Sequence, residues 1–255
     1  MKKSIILISI STLCLIGYSF FRGPDKSSPI QDILMVGTSA DYPPYSRINL
    51  DTNEIVGFDI DIIREVARRL NKKIKIKDMP FNYLLFDLHF EHIDVVAAGL
   101  TPSEEKKKSI SFSKPYLSGD PLIVITNKEN DPITDISDLY GKTVAVNTGY
   151  TSDIHLSQIP QIKLKHLKAT ADAIMALQAK SVDAFATSQS NLDLLLGTKK
   201  EDHGYQFFTL PVEADSYSLA YSKNNTKLLQ QIDSILDTMQ DDGTLHKFKE
   251  KWGFA

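Results

Sequence analysis

A chain of 255 residues with 24% charged and 42% hydrophobic residues has the balance of an ordinary globular protein, which excludes a disordered or fibrous chain and suits one large domain or two lobes. Its formal net charge of −3 argues against nucleic acid as a partner. A single cysteine, Cys14, excludes a disulfide framework.

Lys2 and Lys3 precede an apolar run from Ile5 to Phe21, the pattern of a secretory signal peptide with Gly17 and Ser19 as small residues before a cut. An uncleaved anchor in the inner membrane is the competing reading, because the run is nearly long enough to span. Residues 1–21 are therefore signal peptide or anchor, and residues 22–32, with Gly23, Pro24, Ser27, Ser28 and Pro29, a flexible lead. Cys14 lies inside the export segment, and Leu13 stands before it where lipid-attachment signals usually carry a small residue. Cleavage after Ser19 removes Lys2 and Lys3 and leaves 27 basic against 32 acidic residues.

Leu34 to Thr38 reads as a strand, and Ser39-Ala40-Asp41-Tyr42-Pro43-Pro44-Tyr45 as a loop stiffened by two prolines. Aromatics on such a loop suit stacking on a ligand, or simply cover a core edge. A helix follows from Gly57-Phe58-Asp59-Ile60-Asp61 to about Leu70, with Ile62, Ile63, Val66, Ala67 and Leu70 on one face. Asp59 and Asp61 in its first turn complement the helix dipole. Lys73 to Lys77 alternates as an edge strand does, Phe81 follows, and Leu84 to His92 reads as a second helix. His89, Glu91 and His92 have no third histidine or cysteine nearby and are read as solvated helix-end residues, so no metal site is expected.

The apolar run Val95 to Ala98 ends at Gly99 and leads into Thr101-Pro102-Ser103-Glu104, which fits a capping box with Thr101 as N-cap and Pro102 at the first helical position. A helix start beside a glycine turn is a candidate anion site, although an ordinary strand-to-helix connection is the simpler reading. Leu117-Ser118-Gly119-Asp120-Pro121 has the small, turn-prone residues of a hinge. Beyond it come a strand at Leu122 to Thr126, a short helix at Asp135 to Leu139, and a strand at Gly141 to Val146. That strand ends in the glycine turn Asn147-Thr148-Gly149-Tyr150-Thr151. Two such turns facing each other across a cleft would enclose a small polar ligand. Neither carries a nucleotide fingerprint, and no cofactor is expected. Strands at Ile162 to Leu167 and Val182 to Ala186, helices at Ala171 to Ala179 and Leu192 to Leu196, a crossing strand within Val212 to Tyr221, and helices at Leu228 to Met239 and from Asp242 onward complete the chain.

Several of these stretches, in order, resemble the extracellular solute-binding proteins that feed polar amino acids to ATP-driven importers (family 3 type). They are the Gly57 to Asp61 helix start, the turn at Ala98, Gly99 and Thr101, the segment Phe112-Ser113-Lys114-Pro115-Tyr116, and Lys251-Trp252-Gly253 at the end. The resemblance implies an α/β, two-lobed periplasmic-binding-protein fold of type II, with lobe I from residues 33–118 plus 213–255 and lobe II from 119–212. It also implies a ligand-binding set of Ser39, Tyr42, Phe81, Ala98, Gly99, Thr101, Lys106, Asn147, Thr148, Thr151 and Ser188. Three positions depart from the family pattern: Lys106 stands for an arginine, Ser188 for an aspartate that pairs with a ligand ammonium, and Ser39 for another aspartate. Lysine neutralises a carboxylate as a point charge rather than gripping both oxygens. A standard α-amino acid remains compatible if Asp41, Glu213 or Asp215 points into the cleft; an anion or a neutral polar molecule with no ammonium is the equal alternative.

The implied function is the periplasmic solute-binding component of an importer, taking a polar amino acid or related small carboxylate and docking on an inner-membrane permease. Two alternatives stand beside it. Cyclohexadienyl (prephenate or arogenate) dehydratases resemble the family and share a loop like Asp41 to Tyr45, but the serines at positions 39 and 188 weaken the case for an acid catalyst. A tethered sensor module is the other. No catalytic serine, cysteine or histidine constellation is present in the sequence, so no enzyme activity is expected.

Overall fold

The computed structural model describes residues 32–129, 133–196 and 204–254. The readings of residues 1–31, Cys14 among them, lie outside the described residues.

Two five-stranded sheets form the two lobes. In the first, Ile33–Thr38 lies between Lys73–Asp78 and Val95–Val96, both parallel to it. Ala220–Ser222 then joins antiparallel, with Ile110–Phe112 beyond it. The second sheet runs in the order Lys163–Leu167, Thr143–Asn147, Ala184–Ser188, Leu122–Asn127, Tyr205–Thr209, its first three strands parallel and the rest antiparallel. Leu122–Asn127 is apolar on both faces: Leu122 and Val124 enter one buried cluster, Ile123 and Ile125 the other. A strand covered on both sides reads as a continuous apolar run because its alternating side chains all leave water.

The first sheet is completed from the far end of the chain. Ala220–Ser222 enters it, and the helices Thr226–Asp241 and Thr244–Trp252 pack on the helix Phe58–Arg69. Thr226–Asp241 is opened by Asn225, whose side chain accepts from the Leu228 N–H, and buries Leu228, Ile232, Leu236 and Met239 along one stripe. Lys251 Nζ and Trp252 Nε1 both donate to Asp61 Oδ2 at 2.7 Å. The helix-start and chain-end motifs seen in the sequence are thus two sides of one contact.

Two strands cross between the sheets, Leu117–Asp120 outward and Asp215–Tyr217 on return, paired antiparallel with a shift of register between Asp215 and Ser216. The crossing expected as one strand over Val212 to Tyr221 is in fact two: Asp215–Tyr217 in the hinge and Ala220–Ser222 inside the first sheet. Sequence reading also missed Tyr205–Thr209 and the small sheet of Asp41–Tyr42, Ser46–Ile48 and Ile55–Val56.

Asp120 ties this crossing together. Its Oδ2 accepts from Tyr45 Oη at 2.7 Å, Tyr217 Oη at 2.7 Å and Ser190 Oγ at 2.6 Å, and its Oδ1 accepts from the Ser190 N–H at 3.0 Å. One carboxylate therefore joins the proline loop of the first lobe, the returning strand, and the helix Gln189–Leu196 of the second. Truncation would strand buried donors, each costing about 1–3 kcal/mol. Asp120→Ala is expected to lower unfolding free energy by roughly 2–4 kcal/mol in urea titration, well beyond the effect of an ordinary surface substitution.

Candidate functional site

Each lobe presents a glycine turn held by an aspartate in the first turn of a helix. In the first lobe, Asp59 Oδ2 accepts from the Gly99 N–H. Gly99 has φ +57, and a Cβ there would lie 3.1 Å from the rings of Tyr42 and Tyr45, so glycine is required both for conformation and for room. Gly57, just before the Asp59 helix, has φ +155, and a Cβ there would fall 2.0 Å from the Tyr45 carbonyl, so lack of space forbids a side chain outright. In the second lobe, Asp153 Oδ2 accepts from the Gly149 N–H at 2.8 Å, and Asp153 Oδ1 contacts Ser157 Oγ and His166 Nε2. The dipole role read for Asp59 is therefore part of a larger one, fixing the turn above it.

The expected cap at Thr101 is displaced. The helix is one turn, Glu104–Lys107, capped by Ser103, whose Oγ accepts from the Lys106 N–H at 3.2 Å. Ser103, itself extended, takes the cap two residues further on, which leaves Thr101 outside the helix as one of the residues lining an interlobe cavity. A single turn offers no anion site at its N-terminus.

The sequence-derived residues fall into two groups. Around an aromatic slot stand Ser39, Tyr42, Phe81 and Ser188, with Ala98 and Gly99 buried behind Tyr42. Tyr42 Oη donates to Ser188 Oγ at 3.0 Å across the lobes, and Ser39 Oγ donates to Asp41 Oδ1 at 2.8 Å. The second group, Thr101, Lys106 and Thr151, lines one cavity of about 450 Å3 together with His155, Glu213 and Asp215. Asn147 and Thr148 belong to neither: Asn147 Oδ1 accepts from Thr170, and Thr148 Oγ1 donates to the Leu167 carbonyl. A further cavity of about 460 Å3 lies against the hinge and the chain end, between Pro121, Gln189, Trp252 and Phe254, and holds no facing pair of opposite charges.

Two residues central to this geometry were not singled out as site residues from sequence. Tyr150, in the second lobe's glycine turn, fills the slot: its ring stacks on Phe81 at 4.1 Å and packs on Tyr42 at 4.5 Å. It is buried within the hydrophobic cluster of the first lobe. A large aromatic between Gly149 and Thr151, in a turn otherwise made of small polar residues, was the available signal. The other is Asp215, which the sequence offered as one of three carboxylates that could face the cleft.

Burial dominates the electrostatics. It pushes the Asp215 carboxyl up to about 6, against the lowering effect of the Thr101 and Thr151 hydroxyls. It pushes Asp59 up to about 7, against the lowering effect of the Gly99 N–H and Tyr116. Lys106 is lowered by burial, partly offset by Asp215 and Glu105. Asp41 is raised, first by burial, with Asp78 and Asp172 adding to the effect and the Ser39 hydroxyl opposing it. The phenols of Tyr42 and Tyr150 are raised by burial and stay protonated as donors.

Comparison with known proteins decides the family: the profile of bacterial extracellular solute-binding proteins, family 3, matches residues 34–255. The chain belongs to that family. Among its relatives, this family 3 protein is 31% identical to the arginine-binding extracellular protein ArtP of Bacillus subtilis (strain 168), over 99% of this chain and 98% of ArtP. It is 30% identical to the L-cystine-binding protein TcyA of the same organism, over 86% of this chain and 81% of TcyA. A crystal structure of a mutant ArgBP from T. maritima superposes with a TM-score of 0.80 at 33% identity, covering 88% of this chain and 96% of that one. The fold is the two-lobed type II periplasmic-binding-protein fold, and the family 3 protein is a solute-binding component of an importer, not an enzyme. The dehydratase alternative is set aside.

Asp59 and Asp215 both sit above the ordinary carboxylate value of 3.8. A group raised on folding stabilises fully at low pH, and that contribution is lost as pH rises through the folded value. The solute-free protein should therefore lose stability between pH 4 and 8 through these two groups. Asp59→Asn keeps an acceptor for Gly99 and cannot ionise, so thermal melts across that range should fall off less steeply with pH than wild type.

Proposed function

We propose that this protein captures a polar α-amino acid outside the cytoplasmic membrane and delivers it to the permease of an ATP-driven importer, with residues 33–118 plus 213–255 and residues 119–212 closing as two bodies around the solute. The observation that carries the reading is the convergence of Thr101 and Lys106 from one lobe and Thr151 from the other on a single cavity. A solute touching both walls stabilises the closed arrangement over the open one by its differential affinity, and the permease then reads closure. No bond needs to be made or broken.

Lys106 is the cation available for the solute carboxylate. Its flexible stem is half-buried, and its Nζ is held 3.1 Å from the Thr101 carbonyl oxygen at the cavity wall. The relatives named for arginine and cystine define the solutes to try first. Arginine gains additional support from Asp41, which lies within electrostatic reach of Asp78 and Asp172 and beside the tyrosine-lined slot. In this reading the solute's side chain competes with Tyr150 for that slot.

Calorimetric titration of the purified protein with the polar amino acids, L-arginine and L-cystine foremost, is expected to give saturable heat for at least one with a micromolar or tighter Kd. Lys106→Ala should weaken it about 30- to 1,000-fold, the loss typical of truncating one partner of a buried charge pair. Absence of heat from every amino acid would overturn the proposal.

A further inference from the structure

Asp215 is an anion without an assigned use. It is 4% exposed, and its Oδ1 has no hydrogen bond of good geometry, the hydroxyls of Thr101 and Thr151 lying only near enough to favour its charged form. Its neighbour across the hinge, Asp120, is engaged by Tyr45, Tyr217 and Ser190 and so offers Asp215 only repulsion. Lys106 attracts Asp215 electrostatically, yet its Nζ donates to the Thr101 carbonyl and forms no ion pair with a carboxylate among the described residues. Two opposite charges, Asp215 buried and Lys106 half-buried, thus face one cavity without meeting. An uncompensated buried charge is costly unless a partner completes it. A group that is cationic at one end and anionic at the other, a few bonds apart, would complete both.

We infer that Asp215 receives the amino group of the solute and Lys106 its carboxylate, so that the hinge strand and the one-turn helix clamp the zwitterionic head of an α-amino acid. The inference rests on the amino-acid reading and deepens it. Thr101 and Thr151 line the same cavity with their hydroxyls near Asp215, as further partners for the head group. Ser188 has no charge to offer, and its Oγ accepts from Tyr42. The negative group that holds the ammonium is therefore supplied by the returning hinge strand rather than by the end of the strand Ala184–Ser188. Because that strand connects the lobes, solute charge is neutralised at the joint itself.

The test pairs L-arginine with 5-guanidinopentanoate, and L-glutamine with glutaramate, the same molecules without the α-amino group. Each is titrated into wild type, Asp215→Asn and Lys106→Ala. Asp215→Asn removes a lone buried charge, so its solute-free melting temperature should equal or exceed that of wild type, which separates loss of binding from loss of folding. It should weaken the amino acid about 30- to 1,000-fold and leave the amine-free analogue unchanged or tighter, whereas Lys106→Ala should weaken both. Asp215→Asn binding the amino acid within threefold of wild type, or losing amino acid and analogue equally, overturns the assignment of Asp215 alone. If wild type binds neither, the same comparison is made with the amino acid that it does bind, and a wild type silent to every polar amino acid overturns the amino-acid reading and this assignment with it.

Discussion

The carboxylate of Asp120 is the constraint on which the arrangement of the lobes depends. Three hydroxyls converge on one of its oxygens and a backbone N–H on the other, all at 3.0 Å or less. A buried carboxylate survives only when its lone pairs are filled by donors of good geometry, and here the donors come from both lobes and the strand between them. Fixing Tyr45 this way fixes Tyr42, whose ring lies 5.4 Å away and nearly parallel, and Tyr42 forms one wall of the slot that Tyr150 enters. The crossing strands can thus bend only around a point that is itself tied down.

Around that point the lobes repeat one device, a glycine turn whose N–H is held by an aspartate of the following or facing helix. Thr101 and Thr151, beside the two devices, line one cavity with the half-buried Lys106 and the buried Asp215, which form no ion pair with each other. Such a site is poised rather than satisfied. Burial has withdrawn water from Asp215 and part of it from Lys106, so a zwitterion of the proposed kind would meet partners whose desolvation cost is partly met in the fold, and hydrogen bonds in that environment are stronger than in water.

Much of this was legible in the sequence because it is local. The apolar stripe of Ile62, Ile63, Val66 and Ala67, the edge pattern of Lys73 to Lys77, and the buried runs at Leu122 and Val144 each declare their element by period alone. The Gly57 to Asp61 and Gly99 motifs were visible, but their reason was not: Asp59 reaches 40 residues along the chain to Gly99. The cap falls on Ser103 instead of Thr101, two hydroxyl residues that flank Pro102 and that local sequence alone does not rank. The two- and three-residue strands between Asp41 and Val56 are too short for any period to register. Tyr150 and Asp215 take their importance from what the opposite lobe brings to them, which no single stretch of sequence contains.

The claim that the lobes close on an amino acid is tested most directly by measuring the distance between them. Leu50 and Met175, at 92% and 64% exposure, lie on opposite lobes and can be replaced by cysteine for spin labels once Cys14 is replaced by serine. Double electron–electron resonance should show the interlabel distance distribution narrowing to one population when L-arginine, L-cystine or L-glutamine is added at saturation. A distribution unchanged by an amino acid that calorimetry shows to be bound would mean that the solute does not sit between the lobes.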